Sequence, residues 1–130
     1  MKVFLGGTCS GWKWRDKLQP LLKCDYYNPI VKNWSEEDRL REVHERETSD
    51  YVLYCITNGI QGVYSIAEVT DDSNKRWEKT LFLNLYKEDG TERSRKMAHS
   101  LKAVENLLKS NGVPTFTSIE AVADWLNARV

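Results

Sequence analysis

The sequence predicts a three-layer α/β domain, and three observations carry that expectation. Short strand-like runs alternate with amphipathic helical patterns along the whole chain, with no repeat, linker or low-complexity segment between them. Val3-Phe4-Leu5 and Tyr51–Ile56 are continuously apolar and end in glycine-bearing turns, as strands buried on both faces do. The length, 130 residues, is that of one domain, large enough to bury about two thirds of its unfolded surface without a disulfide or structural metal. Strands alternating with helices imply right-handed βαβ crossovers and a parallel sheet covered on both sides. The expected architecture is therefore a single domain over 1–130 with a roughly five-stranded parallel sheet, flavodoxin- or Rossmann-like in layout.

Each element has its own local reason. Val3-Phe4-Leu5 followed by Gly6-Gly7 reads as a buried strand ending in a turn. Trp14, Leu18, Leu21 and Leu22 recur at helical spacing, closed by Pro20 and Cys24-Asp25, and Tyr26-Tyr27 before Asn28-Pro29 forms a brief second strand. Ser35 with Asp38 makes a capping box, and the helix it opens runs through Leu40 and Val43 toward Thr48. The clearest strand, Tyr51–Ile56, ends at Thr57-Asn58-Gly59, and a helix from Ser65 carries Ile66 and Val69. A fourth strand covers 80–86, bounded by the turn Glu88-Asp89-Gly90. Met97, Leu101, Val104 and Leu108 pattern a long helix that stops at Asn111-Gly112. A short run over 113–117 precedes a last helix capped by Ser118 and patterned by Ile119, Val122, Ala123 and Leu126.

Composition narrows the function. Nineteen Lys and Arg balance nineteen Asp and Glu, and a neutral chain lacks the excess cations that a nucleic-acid polymer or an anionic membrane requires. Five tryptophans and 41% apolar residues exclude disorder. Cys9, Cys24 and Cys55 are scattered without a CxxC pair, the pattern of reduced intracellular thiols. The apolar run at the amino terminus is too short for a signal peptide, and the longest apolar stretch, 51–56, is too short to span a bilayer. A cytoplasmic protein is expected. The neutrality is an average: residues 35–50 hold seven acids against three arginines, net −4, whereas 93–109 hold five bases against one acid, net +4.

Folds of this layout bind ligands beyond the carboxyl ends of the strands, where strand order reverses. That rule nominates residues 6–12, 28–34, 57–68 and the turn after Tyr86. Gly6, Gly7 and Thr8 open a loop that lets backbone approach a ligand, although neither phosphate-loop signature is present. Cys9 and Arg15 have the C-x5-R spacing of a tyrosine-phosphatase loop, but Trp12, Lys13 and Trp14 crowd it and no Ser or Thr follows the arginine. Ser65-Ile66-Ala67-Glu68 follows the central strand. It reads either as a capping box or as a carboxylate held ionised at a helix N-terminus, ready to attack an electrophilic carbon. Glu42 and Glu45 share a face of the preceding helix, and Glu42 stands four residues before Arg46. The spacing fits a solvated ion pair, or a carboxylate that pairs with Glu68 for glycosidic chemistry. His44 and His99 have no partner at ligand spacing, so no metal and no other cofactor is expected. Trp34 lies in a nominated loop, where it can stack on a planar base.

Taken in order, Val3-Phe4-Leu5-Gly6-Gly7 with Trp14-Arg15, Asn28-Pro29 with Trp34, Asp50 before the central strand and Ser65-Ile66-Ala67-Glu68 after it resemble the nucleoside 2-deoxyribosyltransferase-like family. The likeness covers about residues 1–70 well. It implies a flavodoxin-like fold and cleavage of the N-glycosidic bond of a 2′-deoxynucleoside or its monophosphate, with a small-molecule nucleoside or nucleotide as partner. Glu68 falls where the family has its nucleophile, and Glu42 where it places an acid that handles the base or its proton. Gly6 and Gly7 would line the sugar pocket, with Asn28 and Trp34 at its rim and Thr8 and Ser65 as further binding positions. Asn106 resembles an Asn lent to a neighbour's active site, which implies a homo-oligomer. Two positions depart from the transferases. Gly62 stands where they carry an Asp, six residues before the nucleophile, and the aromatic chain ending is absent. Two other readings stand beside this one: a non-catalytic nucleotide-binding module, and a glycohydrolase of another nucleotide such as NAD.

Overall fold

The computed structural model describes residues 1–9, 12–87 and 92–130. Strands and helices alternate as β1 (Lys2–Gly7), α1 (Trp14–Leu18), β2 (Asp25–Tyr27), α2 (Glu36–Thr48), β3 (Tyr51–Ile56), α3 (Tyr64–Lys75), β4 (Thr80–Asn84), α4 (Arg95–Ser110), β5 (Thr115–Phe116) and α5 (Ile119–Asn127). The sheet runs β2-β1-β3-β4-β5 with every pairing parallel. This is the three-layer flavodoxin/Rossmann-like fold expected of the alternating pattern. No helix among the described residues is long and apolar enough to cross a membrane.

The two-residue period of a strand sends alternate side chains to opposite faces, and here both faces are buried. On one, Val3, Leu5, Leu53, Cys55, Leu81 and Leu83 meet Trp14 and Leu18 of α1 and Ile119, Val122, Ala123 and Leu126 of α5. On the other, Phe4, Val52, Tyr54, Ile56 and Phe82 meet Val69 of α3 and Leu101 and Leu108 of α4. The helix ends follow their caps. Ser35 Oγ accepts from the Asp38 amide while Asp38 accepts from the Ser35 amide, closing the capping box. Ser118 caps α5 through the Ala121 amide. Gly112 ends α4 at a φ of +94°, a conformation glycine adopts without a steric penalty.

Three expectations need correction. The first helix is cut short, because Pro20 favours a tight 3-10 turn over Gln19–Leu21 after α1, and Leu21 stays exposed. The fourth strand ends at Asn84 rather than 86, and the turn at Glu88-Asp89-Gly90 lies outside the described residues. The larger change concerns α2. Leu40 and Val43 were the apolar pattern of that helix, yet both are exposed, and none of its thirteen residues is buried. Charge attaches it instead. Glu45 accepts from Lys2 Nζ at 2.6 Å, Arg41 lies over the Tyr27 ring at 5.5 Å, and Arg46 reaches across to α3.

Candidate functional site

Strand order reverses between β1 and β3, and the carboxyl ends of these two strands are drawn tightly together. Gly7 has a φ of +110°, and a Cβ there would stand 2.1 Å from the Cys55 carbonyl oxygen, so only glycine fits. The Thr8 amide donates to Cys55 O at 2.8 Å, and Thr8 Oγ1 accepts from the Thr57 amide at 3.1 Å. Thr8 is thus a buried stitch between the two loops. Arg15 and Trp14 fix the same turn from below. Arg15 Nε donates to Leu5 O at 3.0 Å and Nη1 to Thr8 O at 2.8 Å, while Trp14 Nε1 donates to Thr8 O at 3.0 Å. Burial pushes the Arg15 pKa down, against the nearby cysteine thiols. An arginine committed to main-chain carbonyls cannot grip phosphate oxyanions, so the C-x5-R spacing does not build a phosphatase loop.

Three recesses adjoin one another along this edge. The first, of about 200 Å³, is lined by Thr8, Cys9, Trp12, Arg15, Asn28 and Ile30 among others. The second, about 280 Å³, shares Gly7, Thr8 and Cys9 with the loop of β1 and adds Ile60, Gly62, Tyr64 and Ser65. Tyr64 also borders a third of about 180 Å³ with Arg46, Ala67, Glu68 and Asp71. Thr8 and Cys9 border the first two recesses and Tyr64 the last two, so the three lie in sequence between Asn28 and Glu68 as one candidate groove.

Glu68 stands on α3, which begins at Tyr64 after Val63, a residue without a capping side chain. Ser65 therefore lies inside the first turn, the Ser65–Glu68 capping box does not form, and Glu68 sits two positions further into the helix than expected. Its Oε2 accepts from Arg46 Nη1 at 2.6 Å. Arg46 Nη2 is 3.6 Å from Asp72 Oδ1. Beneath them the fully buried Asp72 accepts from Arg76 Nη2 at 2.6 Å and from the Tyr54 hydroxyl at 2.5 Å. Burial pushes the Glu68 carboxyl up; the Arg46 cation and its hydrogen bond pull it back, and the charges of Glu42 and Asp72 add to the rise. Burial, then the bond to Asp72, also raises the Tyr54 phenol, which stays a protonated donor. Burial works against the Arg46 charge, but Tyr54, Asp72 and Glu68 together hold its pKa above the usual value.

The other expected residues scatter around this centre. Glu42 is half-buried on α2, with its charge felt at Glu68, Tyr27 and Arg15. It does not pair with Arg46, which turns to α3 instead. Gly6 is inside β1, Gly7 and Ser65 line the middle recess, and Asn28 lines the first with its Oδ1 accepting from the Ile30 amide at 3.0 Å. Trp34 is 56% exposed and borders none of the three recesses. Asn106 is exposed on α4 and also borders none of them. A Cβ at Gly62 would meet nothing within 4 Å. Among the described residues no group of three or more His, Cys, Asp or Glu could hold a metal ion.

No family model matches the sequence, and no curated protein does. The structure is similar to that of a conserved protein from Enterococcus faecalis V583, with a TM-score of 0.58 and 14% identity, over 100% of this chain and 99% of that one. That likeness shows the fold.

Sequence reasoning overlooked Arg46, Tyr54 and Asp72 as members of the site. A signal for part of it was present. Glu68, Asp72 and Arg76 recur every four residues, one charged stripe down a helix. Tyr54 shares the two-residue period of Val52 and Ile56, which places its hydroxyl under the same helix.

Proposed function

We propose that this protein cleaves or exchanges the N-glycosidic bond of a 2′-deoxynucleoside or deoxynucleotide through a covalent glycosyl–Glu68 intermediate. The observation that carries the reading is Glu68 itself: a half-buried carboxylate beside a groove at the switch point, with one oxygen held by Arg46. In the first step a carboxylate oxygen of Glu68 bonds to C1′ as the bond from C1′ to the base nitrogen breaks. The bonding pair leaves with the base, through an oxocarbenium-like transition state. Glu42 is the acid that supplies or positions the proton the departing base takes up. Water or a second base then attacks C1′, the ester bond from C1′ breaks with its electron pair returning to the Glu68 carboxylate, and the proton released by the attacking group passes back to Glu42. The groove offers Gly7, Thr8 and Ser65 to the sugar and Asn28 toward its far end.

The same reading takes the protein as a homo-oligomer. Helices α2, α3 and α4 follow the order of the strands across one face of the sheet. A two-fold axis along α3 would set the acidic segment 35–50 against the basic segment 93–109 of a second copy, covering Leu40 and Val43 and bringing the partner's face of α4, with its Asn106, toward the groove.

Incubating the protein with deoxynucleosides, deoxynucleotides and NAD, with chromatography of the released or exchanged base, tests the proposal. Turnover is expected on a deoxyribosyl substrate, and Glu68→Ala should lower it by at least about a thousandfold, the order seen when a nucleophile is deleted. Equal turnover by the folded variant refutes the assignment. Release of nicotinamide alone would point to the NAD glycohydrolase, and nucleotide binding without turnover to the binding module.

A further inference from the structure

We infer that Arg46 is a positioning residue for Glu68: standing on the buried Asp72–Tyr54 pair, it holds carboxylate Oε2 and leaves Oε1 as the attacking atom. The inference rests on Glu68 being the nucleophile. Arg46 comes from α2, a helix without a buried residue, yet its own side chain and that of Glu68 are only 20% and 19% exposed. The groups facing the carboxylate are Arg46 and Glu42 from α2, Tyr64, Asp71 and Asp72 from α3, and Tyr54 from β3. Arg46 is the cation among them.

The pair helps to attach α2, but attachment alone does not account for the arrangement. Exposed ion pairs contribute little to stability, and partly buried ones are offset by desolvation. Arg46 Nε makes no hydrogen bond within the chain, so the guanidinium is satisfied through its two terminal nitrogens by Glu68 and Asp72. Glu68 keeps a raised pKa even beside the cation. The geometry suits a reaction better. When Oε1 bonds to C1′ and the electron pair of the C1′–N bond leaves with the base, Glu68 becomes a neutral ester. Arg46 would then lose its nearer counter-charge, but Asp72 Oδ1, 3.6 Å from its Nη2, remains to balance it. Asp72 in turn is fixed from β3 by Tyr54 and along α3 by Arg76. The nucleophile can therefore change charge without leaving a buried cation unpaired.

Arg46 contributes charge and direction, and two substitutions separate them. In Arg46→Met the ionised form of Glu68 loses its cation, so the acid limb of the kcat/KM profile should move to higher pH. On the plateau above that limb, kcat should still fall about a hundredfold, the effect of a small misplacement. Arg46→Lys keeps the charge but not the planar fork, so the acid limb should stay near its wild-type place while kcat falls. A carbon-13 carboxyl titration of Glu68, in chains whose fold is checked by circular dichroism, reads the same coupling without turnover. Its midpoint should rise in Arg46→Met, and if that variant fails to fold, Arg46→Lys carries the test through kcat. An unmoved midpoint and wild-type kcat in active Arg46→Met, or wild-type kcat in Arg46→Lys, overturn the positioning role alone. Absence of turnover by the wild-type chain on every deoxyribosyl substrate overturns the glycosidic reading and, with it, the purpose assigned to Arg46.

Discussion

Both faces of the sheet carry an apolar core, but the helices α5 and α2 are attached to it by different physics. On the side of α1 and α5, Trp14, Leu18, Val122 and Leu126 are completely removed from solvent and interdigitate with leucines of three strands. On the side of α2 and α3, α2 is attached by charge: Arg46 to Glu68 and Asp72 of α3, and Glu45 to Lys2 of β1. Apolar contact is non-directional and proportional to area, so the first face makes a rigid base for the β1 loop. Polar contact is directional and leaves ionisable groups at a surface, so the second face can hold a reactive carboxylate. The proposed chemistry thus falls where α2 contributes no buried residue.

The largest effects should break the first face. Trp14→Ala is expected to cost about 3–5 kcal/mol, and Leu126→Ala about 2–5 kcal/mol, because each empties a fully buried site that the sheet cannot close. Trp14→Ala also removes the indole donor from Thr8 O and so should loosen the groove as well. Urea unfolding monitored by fluorescence for Leu126→Ala and by circular dichroism for Trp14→Ala reads both. A smaller loss would show that the α1/α5 face is less tightly packed than its burial indicates. Tyr54→Phe should come next, at about 1.5–3 kcal/mol, since it strips a donor from the buried Asp72 carboxylate.

How far the sequence revealed these two faces follows the same division. Period and turn chemistry placed β1, β3 and β4, because a strand buried on both sides is apolar at nearly every position; the edge strands β2 and β5 were legible only as brief runs. They could not place the polar face. Leu40 and Val43 look like an inner stripe, and only the tertiary packing shows that α2 turns them outward. Ser65 and Glu68 look like a capping box, but the helix starts at Tyr64, so Ser65 is already helical and the Glu68 amide lies beyond the orphaned first turn that a box would satisfy. Glu42 and Arg46 look like an i,i+4 pair, yet the arginine finds Glu68 and Asp72 on a neighbouring helix. Local rules describe what a side chain can do with its own helix, and they lose wherever a buried partner from another element competes.

Glu68→Gln sharpens the comparison by testing stability and function at one residue. Burial raises the folded-state pKa of Glu68 above its ordinary 4.5, so folding favours the protonated carboxyl over the ionised one. The cost of the ionised form is absent below the unfolded pKa and fully present above the folded one. Near neutral pH the variant should therefore melt at or above the wild-type temperature while losing turnover. On acidification toward about pH 4 the two melting curves should converge as the wild-type carboxyl takes up its proton. A variant less stable at neutral pH, with the gap closing on acidification, would mean that the Arg46 ion pair outweighs burial and that the second face is built for stability after all.

Leu40→Ala carries the smallest effect on the fold. The side chain is 56% exposed on a helix with no buried residue, and alanine is the better helix former, so the stability of the isolated chain should change by no more than about 0.5 kcal/mol. The contrast with Leu126→Ala is then a difference between two leucines on two helices of one molecule, set only by which face each helix covers. The same substitution has a second readout. If α2 packs against the basic α4 of another copy, Leu40→Ala combined with Val43→Ala should shift light scattering toward the monomer, and rising salt should do likewise by screening the opposed charges. A wild-type chain that is monomeric throughout would leave both side chains facing water, and α2 would be held to the protein by its ion pairs and the Arg41–Tyr27 contact.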